Sequence, residues 1–405
     1  MGQQSRQESS EPWAAALTAY VLHRPGLDRL RVAGMGLVER WRAAFTRVGA
    51  RVVEVDARGL LEALTRAEGP ALVADGGSVA EQAVVDLLTG ETPDDAGAVA
   101  PASGGLPDAP LALLGPEAAR RLGATQGWTE PWGLLQQLRR DESTTLRTVE
   151  AADLFWRTVS TPAEARSAGW RMLRRLRLRP GGLAARHINR HVSTVISYFL
   201  TKTPLTPNMV TMFTLASGLL SAWLVYPGGY WAAVAGAAMM QLSSIVDGCD
   251  GEVALVRYMQ SEWGGWFDSI ADEIVNALFL AAVGHNLYVT LGHWAWLVLG
   301  ILSGAVSFLY ALFHWHCKWR HGVGLYWWFD QQKLDTGTTK QEVWESKSLM
   351  RYIKMLLWRD SFLLAYLLAA ASWYLLPVLL VISGGGAVAT LVMLFIHVVI
   401  KRGRW

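Results

Sequence analysis

Hydropathy divides the chain near residue 180. Before it, apolar residues come in short runs broken by polar ones. After it, long apolar stretches recur, each near the ~20 residues that a helix needs to cross a bilayer. This second part predicts six spans, roughly 208–225, 230–253, 264–287, 294–315, 360–376 and 377–400. Thr206 and Pro207 mark the start of the first, because threonine caps a helix and proline fits its first turn. In the first part, 13–180, the helix-like pattern 37–48 precedes an apolar run at 51–55. A second run at 71–74 ends in Asp75 and leads into the helical pattern 79–88. Alternating strands and helices predict a soluble α/β unit with a parallel sheet. Residues 92–110, rich in Gly, Pro, Ala and Asp, predict a loop, and the polar residues 1–12 a disordered tail. Residues 181–205 interleave basic and apolar positions and predict an interfacial helix on an anionic leaflet, preceding an all-α membrane domain at 206–405.

Charge refines the topology. A net +3 over 405 residues gives no broad field for a nucleic acid, so no such partner is expected, and the basic residues carry meaning by location. Arg186, Arg190, Lys202, Arg257, Lys318, Arg320, Lys347, Arg351, Lys354, Arg359, Lys401 and Arg404 all fall on one predicted side. The opposite turns, 226–230 and 285–293, hold no Lys or Arg. The positive-inside rule makes the basic side cytoplasmic, which predicts a multi-pass protein of the cytoplasmic membrane with both termini inside. The N-terminus has no apolar signal core, and two cysteines, Cys249 and Cys317, form no disulfide framework. Tryptophans near the predicted span ends form an aromatic belt at the headgroups.

Four carboxylates interrupt this apolar sequence: Asp247 and Asp250, three residues apart, and Asp268 and Asp272, four apart. On helices each pair shares one face. An ionised group in mid-bilayer costs roughly 2.5–3.5 kcal/mol on insertion scales, so a cluster calls for a compensating cation. Too few basic residues lie at that depth to pair all four acids, which favours a bound metal ion. Glu252, Glu273 and Asn276 either support this cluster or line the same polar cavity.

Asp247, Asp250, Gly251, Ala254, Gly264, Asp268 and Asp272 together resemble the signature of the CDP-alcohol phosphatidyltransferase family, Asp-X-X-Asp-Gly-X-X-Ala-Arg followed by Gly-X-X-X-Asp-X-X-X-Asp. Every acidic and glycine position is met in order. The resemblance implies transfer of a phosphate-linked group from a CDP-alcohol to an acceptor hydroxyl with release of CMP. It also implies two divalent ions, Mg2+ or Mn2+, held by Asp247, Asp250 and Asp268, with Asp272 completing the site and acting as base. Gly251, Ala254 and Gly264 would let the nucleotide approach the helix backbone, beside Pro207, Asn208 and Thr211 at the start of the first span. The signature departs from the family at Leu255, where an arginine is expected. Counted at 100° per residue, Arg257 falls about 20° from Asp250 and is the compensating candidate. Further candidates for phosphate or acceptor binding, chosen for charge and side, are Arg186, Arg190, Lys202 and Arg351.

The junction from Gly181 to Ser193 resembles bifunctional enzymes in which a cytoplasmic inositol-phosphate cytidylyltransferase precedes a di-myo-inositol-phosphate-phosphate synthase. The first part resembles a nucleotidyltransferase fold in degenerate form. It has no Gly-rich loop near Arg24, and the segment from Val159 to Glu164 lacks the flanking acids of the family's metal motif. The expectation is therefore a homodimeric membrane CDP-alcohol phosphotransferase, with an inactive front domain and an inositol-phosphate-like or other polar acceptor. The alternatives are a CDP-diacylglycerol-dependent phospholipid synthase and a catalytically weak or non-catalytic nucleotide-binding membrane protein.

Overall fold

The computed structural model describes residues 17–91, 97–102, 111–124, 145–150, 154–178, 182–321 and 358–384. The predicted tail 1–12, Arg351 and the end of the last predicted span lie outside them.

The front part is a six-stranded sheet with helices on both faces. Its strands are β1 (Thr18–Leu22), β4 (Arg51–Val55), β5 (Ala71–Asp75), β7 (Gly97–Ala102), β8 (Leu111–Leu114) and β9 (Thr145–Glu150), in the spatial order β4-β1-β5-β8-β7-β9. Strands β4, β1 and β5 run parallel, as predicted. β8 is antiparallel to both neighbours, which corrects the all-parallel expectation. The eight residues 103–110 between β7 and β8 are too few for a parallel crossover, which takes about a dozen or more. β7 also corrects the loop predicted for 92–110. Its Pro101 lies beyond the two residues that pair with β8, so the missing N–H breaks no bond to that strand.

Helices α1 (Leu37–Arg47), α2 (Ala57–Thr65), α3 (Gln82–Thr89) and α4 (Pro116–Ala124) cover the sheet. One core gathers Leu60, Leu64, Val73 and Leu114, and the other Trp41, Phe45, Leu72, Val84 and Leu113. Short strands β2 (Arg31–Val32) and β3 (Met35–Gly36) form a hairpin, and β6 (Ser78–Ala80) pairs with β10 (Trp156–Thr158). Val79 therefore belongs to a strand rather than to the start of the predicted helix. The segment at Val159–Glu164 is a helix start. Thr161 caps α5 (Pro162–Arg175), and Glu164 reaches back to the backbone N–H groups of Ser160 and Thr161. These hydrogen bonds hold the Glu164 carboxyl below the usual range.

The second part is helical. A short π segment (Ala185–Asn189) leads into α6 (Arg190–Leu200). Then come α7 (Pro207–Val225), α8 (Tyr230–Val256), α9 (Glu262–Leu291), α10 (Ala295–His321), α11 (Arg359–Ser372) and α12 (Leu375–Gly384). Three of these, α7, α8 and α9, are long and apolar enough to cross a membrane by themselves. In α10 the apolar stretch is Ala295–Leu309, and α11 has 14 residues, so six full spans are not established among the described residues. Burial in this part is inside out. Met212, Phe213, Trp223 and Leu242 are exposed, while Thr214, Ser217, Ser221 and Ser243 are buried. The buried hydroxyls join helices, Ser217 to Ser243 at 2.9 Å and Ser221 to the Gly236 carbonyl at 3.0 Å. Apolar groups facing outward and polar groups facing the bundle suit a lipid surround. α6 follows the same rule, burying Ser193, Thr194 and Ser197 and exposing Val192, Val195 and Phe199.

Candidate active site

Two helices deliver the four aspartates. α8 carries Asp247 and Asp250 in its last three turns, and α9 carries Asp268 and Asp272 in its first three. The chain reverses between them over residues 257–261. Ser261 restarts the helix by accepting the Gly264 N–H at 3.0 Å. One carboxylate oxygen from each of Asp247, Asp268 and Asp272 lies within 4.8 Å of the others. Asp250 stands beside this trio and accepts a hydrogen bond from Thr211 Oγ1 on α7. Asp247 Oδ1 and Asp268 Oδ1 are buried without a hydrogen-bond partner among the described residues. Buried carboxylate oxygens left unsatisfied are costly, and hard oxygen donors converging in this way suit a Mg2+- or Mn2+-type cation.

The main surprise is Arg359, the first residue of α11. It donates from Nη1 to Asp272 Oδ2, and the same nitrogen lies 3.4 Å from Asp247 Oδ2. It bridges the two aspartate-bearing helices from a third. In the sequence Arg359 stands as a basic residue on the predicted cytoplasmic side and, with Asp360, resembles the family's entry to its fifth span, but nothing in its local pattern ties it to acids 87 and 112 residues away. Its neighbours have a second task. Asp360 Oδ2 accepts the Ala185 N–H at 2.5 Å and Ser361 Oγ accepts the Leu183 N–H at 2.8 Å, so the start of α11 also anchors the juxtamembrane segment.

Among the predicted nucleotide contacts, Pro207 opens α7 under the Thr206 cap, and Asn208 approaches Gly264: a Cβ added there would come within 3.2 Å of Asn208 Oδ1. A Cβ added at Gly251 would meet nothing within 4 Å, so there is open space beside the α8 backbone. Ala254 lies one turn further along α8, part-buried on the same side as Asp247 and Asp250.

The predicted cations are dispersed. Arg257 is the residue that caps the end of α8, its N–H still donating to the Val253 carbonyl at 2.9 Å. Its Nη1 donates to the carbonyls of Thr203 and Leu205, at 3.3 and 3.0 Å. Lys202 Nζ sits 3.9 Å from the Tyr198 ring centroid, Arg190 donates to the Arg177 carbonyl, and Arg186 is exposed. Of the secondary acids, Glu252 turns away to accept from Ser193 on α6, and Glu273 accepts from Ser307 on α10.

In the front part, Asp75 closes β5 as a buried ion pair. Arg24 Nε lies 2.7 Å from its Oδ1, which also accepts the Gly77 N–H at 2.9 Å. Burial pushes the Asp75 carboxyl up despite both partners. A guanidinium therefore holds one oxygen of the carboxylate at the end of this strand, while Oδ2 is buried without a hydrogen-bond partner among the described residues.

Residues 204–339 match the CDP-alcohol phosphatidyltransferase family. The chain is also similar to three curated proteins named bifunctional IPC transferase and DIPP synthase. That of Aquifex aeolicus is 32% identical over 40% of this chain and 37% of its own length. That of Thermococcus kodakarensis is 36% identical over 39% and 35%. That of Rubrobacter xylanophilus is 33% identical over 41% and 38%. The similarity thus spans little more than a third of these relatives.

Proposed function

We propose, from the match of residues 204–339 to the CDP-alcohol phosphatidyltransferase family, that the whole chain is a metal-dependent CDP-alcohol phosphotransferase of the membrane. The acceptor hydroxyl oxygen bonds to the phosphorus that bears the alcohol, the bond from that phosphorus to the CMP oxygen breaks, and CMP leaves with the electron pair. The convergence of Asp247, Asp268 and Asp272 oxygens, two aspartates retaining an unsatisfied buried oxygen, carries this reading. Divalent ions held by these residues and Asp250 would neutralise the diphosphate and the departing oxygen. Thr211 orients Asp250, and Asp272 receives the proton of the attacking hydroxyl. The donor lies along the open side of α8 at Gly251, with Asn208 and Gly264 bounding the nucleotide.

For the acceptor we favour an inositol-phosphate-like alcohol, supported by the names of the relatives, with a lipid-linked donor as the second choice. The front domain performs no cytidylyl transfer in this account, since Arg24 pairs with Asp75 Oδ1 and no Gly-rich loop is present. The remaining alternative, a weak or non-catalytic nucleotide binder, draws support from Leu255 and from Arg359 on the carboxylates. Purified protein incubated with Mn2+, a panel of CDP-alcohols and inositol phosphates decides among these. The expected result is one donor–acceptor pair giving stoichiometric CMP and a phosphodiester product by mass spectrometry. Product formed only from CDP-diacylglycerol would redirect the substrate assignment, and CMP from no donor would support the binder.

A further inference from the structure

The front α/β part grips the link from α8 to α9 at Tyr258 and Gln260. Tyr258 is the second residue of the link and has φ +56°, left-handed backbone that a tyrosine rarely adopts. Its ring packs against the front core that contains Trp41, Phe45 and Val84. Its hydroxyl donates to the Ala80 carbonyl at the end of β6, at 2.7 Å. Arg40 of α1, only 1% exposed, brings Nη2 to 3.4 Å from the same hydroxyl while Nη1 donates to the Val32 carbonyl at 3.1 Å. Arg47, at the end of α1, donates to the carbonyls of Tyr258 (3.5 Å) and Gln260 (3.0 Å). A second contact backs this one. The β2–β3 hairpin tip, Ala33 and Gly34, presses on the end of α6, where a Cβ on Gly34 would collide with the Thr201 carbonyl. Ala33 also packs with Leu173 and Val256, the last residue of α8.

From these contacts we infer that Tyr258 is a positioning residue through which the front α/β part sets the separation of the Asp247/Asp250 and Asp268/Asp272 pairs. Five residues, 257–261, join the two helices that carry these pairs, so the path of the link fixes where α9 begins relative to the end of α8. A link held at Tyr258 in an unfavourable backbone conformation is over-determined by its surroundings, which is how strained residues at working sites persist. The front part thereby has a task that needs no nucleotide chemistry of its own. The consequence for metal binding rests on the proposed function; the grip itself does not.

The test uses full-length protein in detergent, with Y258F, which deletes one oxygen, and Y258G, which relieves the backbone and removes the ring. Hydrogen exchange of residues 257–262 and Mn2+ affinity by electron paramagnetic resonance are measured for each. Y258G is expected to exchange faster in this segment, with β1–β5 unchanged, and to bind Mn2+ about tenfold more weakly, within the range seen when groups that orient metal ligands are lost. Y258F is expected to move both readouts in the same direction by less, and it keeps the test valid if Y258G does not fold. Unchanged exchange in both variants overturns the grip, and faster exchange with unchanged Mn2+ affinity overturns the positioning role. Wild-type protein that binds no Mn2+ sinks the metal reading instead, and the exchange comparison then decides the grip alone.

Discussion

Arg359 shows what a single side chain adds to the acid cluster. Its guanidinium contacts Asp272 and Asp247, two of the three residues whose oxygens converge. Arginine and a divalent ion bound there would therefore draw on shared carboxylates. Removing one partner of a largely buried ion pair leaves charge uncompensated, at a cost of about 3 kcal/mol toward the lower end of the usual range. R359Q should therefore lower the thermal midpoint in EDTA and enlarge the gain on adding Mn2+; equal gains in wild type and variant would show that the two cations do not share oxygens. The aspartates were legible in the sequence because carboxylates are conspicuous in apolar helices and their spacing gives their face. Arg359 was not, because its role depends on how α11 packs against α8 and α9. Arg257 differs for a side-chain reason: the wheel counts backbone positions, and the long guanidinium of this last capped residue of α8 reaches the Thr203 and Leu205 carbonyls.

Elements were legible where capping and periodicity agree. Thr206 caps α7 where the sequence placed its start, whereas α9 begins at Glu262 under the Ser261 cap, two residues before the predicted start at 264. In the front part α5 is capped in the same way by Thr161, in a segment the sequence suggested only as a motif remnant, and T161A should cost about 1 kcal/mol of stability in a denaturant titration. Because Glu164 has its pKa lowered in the folded state, its contribution is present above the ordinary glutamate value and lost as pH falls through the folded one. A pH titration of E164Q against wild type should therefore converge in acid and diverge near neutrality. β7 was hidden because its Gly, Ala and Pro residues read as loop, and only its place between β8 and β9 makes them a strand. Helix–helix approach was equally invisible: α9 and α10 cross where Gly284 meets Gly300, a Cβ on either falling 2.6 Å from the other's Cα. G284A should force these helices apart and destabilise the bundle by about 1–3 kcal/mol, as overpacking does, readable as a lower thermal midpoint; an unchanged midpoint would contradict so close a crossing.

At the scale of the molecule, a mixed α/β part sits against one end of the helical part, beside the link 257–261 and the turn after α6. Division of the chain into these two parts was plain in the hydropathy, whereas their contact was not, since Tyr258, Arg40 and Gly34 are individually unremarkable in sequence. If the basic side faces the cytosol, S261C and H293C in a background without Cys249 and Cys317 should react with an impermeant maleimide from opposite sides of sealed vesicles. Labelling of both from one side would contradict the topology. The central claim, that carboxylates from α8 and α9 bind divalent cations for phosphoryl transfer, is tested most directly by CMP release as a function of free Mn2+. Wild-type protein should release CMP with saturable Mn2+ dependence and none in EDTA, and D268N should fall by more than about a hundredfold, as expected when transition-state charge loses its counter-charge. Release that persists in EDTA, or that survives D268N, would contradict it.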